Sequence, residues 1–367
     1  MSKRKNAESS SSPVDLALEN QQLRLENQKL LEELKTLKAE LANRNGPVAP
    51  ALPPPIAKTF TMKHAFHSLA GVDDCEKISD GEEHFGVRWS MHIVRKANHL
   101  ELDLICQPRS KKLGWSVETE FLLTLKSTRT SDRTESFLHT FSNRNHGRRS
   151  DSEGSDKFLT WEEMKNNFLT SDGKLIAEAQ VTIKKTSGIY PRNMRSFDIS
   201  MEDLSDVVLV VNDEKFYVSK LTLAAQSPVF KASFLGAFQE SQKKEITLPG
   251  LDAADFQKYL EVIYGEESID DSTVEGILLV ADMFDTEMVR RKCEKFLLEY
   301  STKSSRKKLK FSARYGLENL KNDCFSRIRT VGEIEALIPY TILDMDHSNM
   351  AALLQRSISM LNATSRY

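Results

Sequence analysis

Cysteine is scarce and scattered in this chain of 367 residues. Cys75, Cys106, Cys293 and Cys324 lie far apart with no C-x-x-C pair. That excludes a zinc knuckle and a disulfide framework and leaves reduced, partly buried thiols as the expectation. Long apolar runs are also missing. No stretch approaches the roughly 20 apolar residues of a membrane span, and Met1 to Ser12 is polar where a secretory signal carries an apolar core. No membrane partner is expected, and the expected location is cytoplasmic or nuclear. Charge of one sign is lacking as well: the formal net charge is −2, which gives no global pull toward nucleic acid. The sequence holds no G-x-S-x-G, Walker loop, zinc-protease helix or cysteine-histidine arrangement. It therefore predicts no enzyme and no cofactor. His64 and His67 have the spacing of metal ligands, but no third ligand is near, so they read as surface histidines at a strand end and no metal is expected.

What is present divides by composition and period. Hydrophobic residues make up 40% and charged residues 28%, an ordinary globular balance, and the length suits roughly two to three domains. Residues 1–12 read as disordered. From 13 to 45, Leu16, Leu23, Leu30 and Leu37 recur every seven residues, with Asn20, Asn27, Leu34 and Leu41 four positions after each. Leucines at d with asparagines at a predict a parallel two-stranded coiled coil, because a buried amide is satisfied by its mate's equivalent amide. A trimer stays open. Such a helix is roughly 48 Å long. Residues 46–57, with Pro53-Pro54-Pro55, form an extended linker.

Between 58 and 185 the period is two. Val87, Trp89, Met91 and Ile93 share one face, as do Leu100, Leu102 and Leu104, and again Val117, Thr119, Phe121, Leu123 and Leu125. Further strands are expected near Phe60 to Phe66, Phe137 to Phe141 and Leu175 to Ile183, with a short helix over Trp161 to Phe168. Seven or eight antiparallel strands of this kind imply an all-β sandwich.

After a linker over 186–203, residues 204–300 predict a small α+β domain. Val207 to Val211 reads as a buried strand, Asn212-Asp213 as a turn, and Lys215 to Val218 as the returning strand. Glu245 to Leu248 is a third strand, Asp252 caps a helix, and two more amphipathic helices follow. Residues 301–330 continue as helices, whose basic run from Lys303 to Arg314 reads as a solvated face, with a nuclear-import or phosphate-binding patch as the other reading. Residues 331–367 look helical without a clear motif.

Two of these regions carry a resemblance. Ser205 to Val211, then Phe216 through Leu223 to Phe230, resemble the signature of the BTB/POZ domain. Ser219 stands where many such domains have histidine. Phe60 to His64, His84 to Trp89 and Phe158 to Met164 resemble a MATH (TRAF-homology) domain. MATH followed by BTB is similar to the order in nematode MATH-BTB proteins and in the speckle-type POZ protein. The resemblance implies a non-catalytic homodimer that delivers protein substrates to a cullin-3 RING ubiquitin ligase. Its MATH sandwich would hold an extended substrate segment by strand addition. The alternative is a dimeric scaffold or transcription-related BTB protein without a ligase role.

The resemblance also implies site residues. Phe238-Gln239-Glu240 matches the apolar-x-glutamate pattern that engages a cullin, unless Phe238 folds back onto its own core. Positions that are aromatic in the substrate groove fall here at Asp103, Phe121 and His139, and only Phe121 keeps that character. The following loop is basic, so Arg144, Arg148 and Arg149 are candidate contacts for a polar or acidic peptide, with a solvated loop as the other reading.

Overall fold

A computed structural model describes residues 57–69, 76–110, 114–143, 150–235, 244–338, 345 and 347–364. The heptad leucines and asparagines, Leu16 to Leu41, lie outside the described residues.

The first domain is a sandwich of antiparallel strands. One sheet has the order β1-β9-β6-β7, built from β1 (Lys58–Phe66), β6 (Ser116–Leu125), β7 (Arg133–Ser142) and β9 (Leu175–Ser187). The other has the order β2-β4-β5-β8, from β2 (Glu76–Ile78), β4 (Val87–Lys96), β5 (His99–Pro108) and β8 (Asp151–Thr160). Here β3 (Glu82–His84) also pairs with β4. The alternation explains the packing. In β4, Val87, Trp89, Met91 and Ile93 turn inward and are completely buried, while Arg88, Ser90 and His92 turn outward. Trp89, Trp115, Phe121, Phe141 and Phe158 fill the centre. Truncating one such aromatic to alanine costs about 3–5 kcal/mol. Nine strands are described where seven or eight were expected. The extra ones, β2 and β3, have three residues each, too few for an alternation to register. Helix α1 (Trp161–Asn167) starts at Thr160, whose hydroxyl accepts the Glu163 N–H at 3.2 Å.

The second domain opens with a 3-10 turn, Ile199–Leu204, and a hairpin of β10 (Val207–Val211) and β11 (Glu214–Val218). Asn212 and Asp213 hold left-handed φ values of 46° and 66°, a geometry these short polar side chains tolerate and a tight hairpin requires. Strand β12 (Glu245–Thr247) adds parallel to β10. Helices α2 (Lys220–Gln226), α3 (Pro228–Leu235), α4 (Ala253–Ile263), α5 (Val274–Met283) and α6 (Glu287–Glu299) cover this sheet. Ser219 caps α2 by accepting from Thr222 N–H. Phe230 stacks on Phe284 at 4.2 Å, and the Ser227 hydroxyl donates to the Phe284 carbonyl, tying α3 to the end of α5.

Four further helices follow: α7 (Ser305–Tyr315), α8 (Glu318–Ser326), α9 (Val331–Leu337) and α10 (His347–Thr364). The last two fall where the sequence had a helical look but no motif; Thr330 and Glu333 form a capping box for α9. The basic run departs from its expectation. Lys303 and Lys307 do not lie on a solvated face, because both turn into buried ion pairs with Glu83 and Glu275.

Candidate functional site

Strands β7 and β8 end their respective sheets, and no described strand pairs with the outer edge of either. An unpaired edge presents a row of backbone donors and acceptors, the template for adding an extended segment. The residues of β7 divide between two environments. Leu138 points to solvent and is 82% exposed. Phe137 turns in and stacks on Phe121 with ring centroids 5.0 Å apart. His139 also turns in and is clasped by β8: its Nδ1 is 3.0 Å from Glu153 Oε2 and its Nε2 is 3.7 Å from Asp151 Oδ2. The gap between the sheet edges is therefore bridged by one imidazole between two carboxylates.

The three candidate groove residues do not converge. Phe121 is 1% exposed and belongs to the core, which corrects its assignment to the groove. Odd-numbered positions of β6 face inward from Val117 to Leu125, so Phe121 supports the edge only from beneath, through Phe137 and Phe141. Asp103 lies on the opposite, outward face, directly across from Gly154 of β8. A side chain at 154 would put its Cβ 2.1 Å from the Leu102 carbonyl and 2.6 Å from Asp103 Cα, so only glycine fits. Asp103 also faces His92 at 3.6 Å. Its hydrogen bond, with a further one from Glu76, raises the His92 pKa against the effect of burial. Of the three, His139 alone stands at the lip. Arg144, Arg148 and Arg149 lie outside the described residues, as do Phe238, Gln239 and Glu240.

Comparison with known proteins agrees with this architecture. Residues 65–183 match the MATH domain and residues 197–301 match the BTB/POZ domain. BTB and MATH domain-containing protein 15 of Caenorhabditis elegans is 39% identical over 277 residues, covering 75% of this chain and 98% of that protein. The chain belongs to the MATH-BTB family. BTB and MATH domain-containing protein 45 of the same organism is 31% identical over 281 residues, 76% of this chain and 58% of that protein. The mouse Kelch-like protein 28 shares 35% identity over 96 residues, 26% of this chain and 17% of its own length.

A second cluster, between the MATH and BTB domains, was not anticipated. Lys58 at the start of β1 is buried and pairs with Asp255 at 2.7 Å and Asp252 at 3.5 Å, both on the BTB side. Asp252 caps α4 and accepts from Thr186, while Asp255 accepts from the Tyr190 hydroxyl at 2.5 Å. Burial opposes the charge of Lys58, but its two carboxylates outweigh that and raise its pKa. Burial pushes Asp255 up to about 6, with Asp252 adding to the effect and Lys58 pulling against it. Nearby, Glu275 of α5 accepts the Phe85 N–H at 2.9 Å and pairs with Lys307 at 2.7 Å. Burial acts against its charge too, yet Lys307 and His84 hold its carboxyl well below the usual range. The sequence did carry a signal. Lys58 continues the inward set of Phe60 and Met62, and Glu275 is the one charge between Val274 and Ala281.

His64, read as a surface histidine, is half-buried, and desolvation lowers its pKa; His67 is exposed. Among the described residues no group of histidine, cysteine and acidic side chains could hold a metal. Cys106, Cys293 and Cys324 are buried free thiols. Burial pushes the Cys324 thiol up to about 11, so it is not a ready nucleophile at neutral pH.

Proposed function

We propose that this protein is a dimeric, non-catalytic substrate adaptor of a cullin-3 RING ubiquitin ligase, acting in the cytoplasm or nucleus. The observation that carries the proposal is an open sandwich edge and a BTB domain in one chain. The MATH domain captures an extended protein segment along β7, where the unpaired backbone supplies affinity and the side chains around Leu138 and His139 supply selectivity. Because His139 already engages Asp151 and Glu153, the arginines at 144, 148 and 149 are the groups offered to an acidic segment. The BTB domain binds the cullin through Phe238, with Gln239 and Glu240 at the rim, since aromatic anchors commonly dominate such interfaces.

Dimerisation uses the BTB domain and the heptads of residues 13–45. Ile199, Leu204 and Leu221 flank the β10–β11 hairpin and are at least 60% exposed, which suits an apolar face that a second copy covers. The mechanism is proximity. The adaptor raises the effective concentration of substrate lysines beside a separately recruited ubiquitin-charged enzyme, and two readers on one dimer add avidity for a target with two sites.

Light scattering on the full chain, alone and with the N-terminal domain of cullin-3, tests this. A dimer that takes up two cullin fragments is the expected result. A dimer that takes up none favours the scaffold reading, and a monomer removes both.

A further inference from the structure

We propose that the MATH and BTB domains of one chain are locked into a single body, with the 58/252/255/275 charge cluster specifying their orientation. The substrate edge then does not swing on the segment that joins the domains.

The contact is built around the β3–β4 turn. Phe85 and Gly86 hold φ values of 52° and 74°, and the turn they form brings its backbone against the BTB domain at Glu275 and Ser272. Phe85 is buried in the same core cluster as Leu279 of α5, and its N–H donates to Glu275. A Cβ on Gly86 would lie 2.9 Å from the Ser272 carbonyl and 3.0 Å from the Tyr190 ring, so the backbones approach as closely as glycine permits. The apolar packing is continuous: Leu279 of α5 is part of the sandwich's own core, with Ala254 of α4 packed against it.

Charge crosses this surface in both directions. MATH Lys58 enters a BTB niche made by Asp252 and Asp255. Gly276 keeps that niche open, since a Cβ there would lie 2.1 Å from Asp255 Oδ1. In return, Lys303 and Lys307, on the chain after the BTB domain, reach MATH Glu83 at 2.5 Å and MATH His84 at 2.8 Å. At the rim, Arg109 joins Glu83 at 2.6 Å and approaches Asp271 at 3.9 Å. Buried ion pairs add little net stability over apolar packing, but a misplaced partner leaves an uncompensated buried charge. A rotated docking would set Lys58 or Glu83 against apolar surface or like charge. The apolar contact thus favours association, and the charges select one orientation.

The functional consequence rests on the adaptor reading: a captured substrate would be presented at one position relative to the BTB domain. The lock itself does not depend on that reading, so its test uses neither cullin nor substrate. Spin labels are placed on the full chain at Ser136→Cys in β7 and Arg291→Cys in α6, with Cys75→Ser to remove a competing thiol. Labelled protein is diluted with unlabelled chain so that only distances within one chain are read. The expected result is a single narrow distance distribution. It should persist in Lys58→Arg and broaden in Lys58→Glu, with circular dichroism showing both domains folded. If Lys58→Glu does not fold, Glu83→Lys at the half-open rim takes its place, with the same broadening expected. A broad distribution in the parent chain would overturn the proposal, as would one left unchanged by the charge reversal.

Discussion

Asp255 occupies a demanding position for a carboxylate: buried, beside Asp252, with one lysine shared between them. Its pKa is raised from the ordinary 3.8 to about 6. A group raised in the folded state contributes stability that is fully present below pH 3.8 and is lost as pH rises through about 6. Lowering the pH from 7.5 to 5 should therefore stabilise the protein by about 1 kcal/mol through this residue. Glu275 is shifted the other way, so its contribution is lost only at lower pH and does not compete in that window. Urea unfolding of the parent chain and of Asp255→Asn at both pH values checks this. Toward pH 5 the parent should gain about 1 kcal/mol on the variant, which has no carboxyl to titrate at this position, and a gap independent of pH would contradict the assignment. At this scale the sequence was only partly legible. It marked Asp252 as a cap and placed Phe121 on an apolar face of its strand. It could not reveal that Asp255 answers a lysine about 200 positions away, because pairing across domains leaves no periodic trace.

The elements were far more legible, since strand alternation and caps are local. The β10–β11 hairpin announced itself through Asn212-Asp213, and α1 falls within the short helix expected over Trp161 to Phe168. The three-residue strands β2 and β3 were beyond reach of a period-two pattern. The groove misled for a related reason: spacing gives the face a residue takes, but which face is open depends on the partner sheet. Two substitutions separate edge from scaffold. Gly154→Ala should cost about 1–3 kcal/mol, because its Cβ collides with the backbone of β5; chemical unfolding checks it, and a neutral effect would mean that β5 and β8 part easily. Leu138→Asp lies on an exposed position and should change stability by less than about 0.5 kcal/mol. The same substitution should weaken capture of a substrate segment by about tenfold, read by fluorescence anisotropy once a segment is in hand.

At the scale of the whole molecule, the proposed function rests on three surfaces: the β7 edge, the exposed apolar residues around Ile199 and Leu221 proposed to self-associate, and residues 238–240 proposed to bind a cullin. The domain order was readable from short motifs, whereas the docked MATH–BTB junction was not, since residues 186–203 read as a plain linker. Replacing Ile199 and Leu221 together by aspartate should weaken the proposed BTB dimer by about tenfold or more. Sedimentation of a chain that also lacks residues 1–45 measures this, and an unchanged dimer would place self-association elsewhere. The central claim is the cullin partnership, and calorimetric titration of the full chain with the N-terminal domain of cullin-3 tests it most directly. The account predicts tight binding by the parent protein and a loss of about a hundredfold in Phe238→Ala, the scale of an aromatic anchor. No heat of binding from a folded, dimeric parent chain would contradict it.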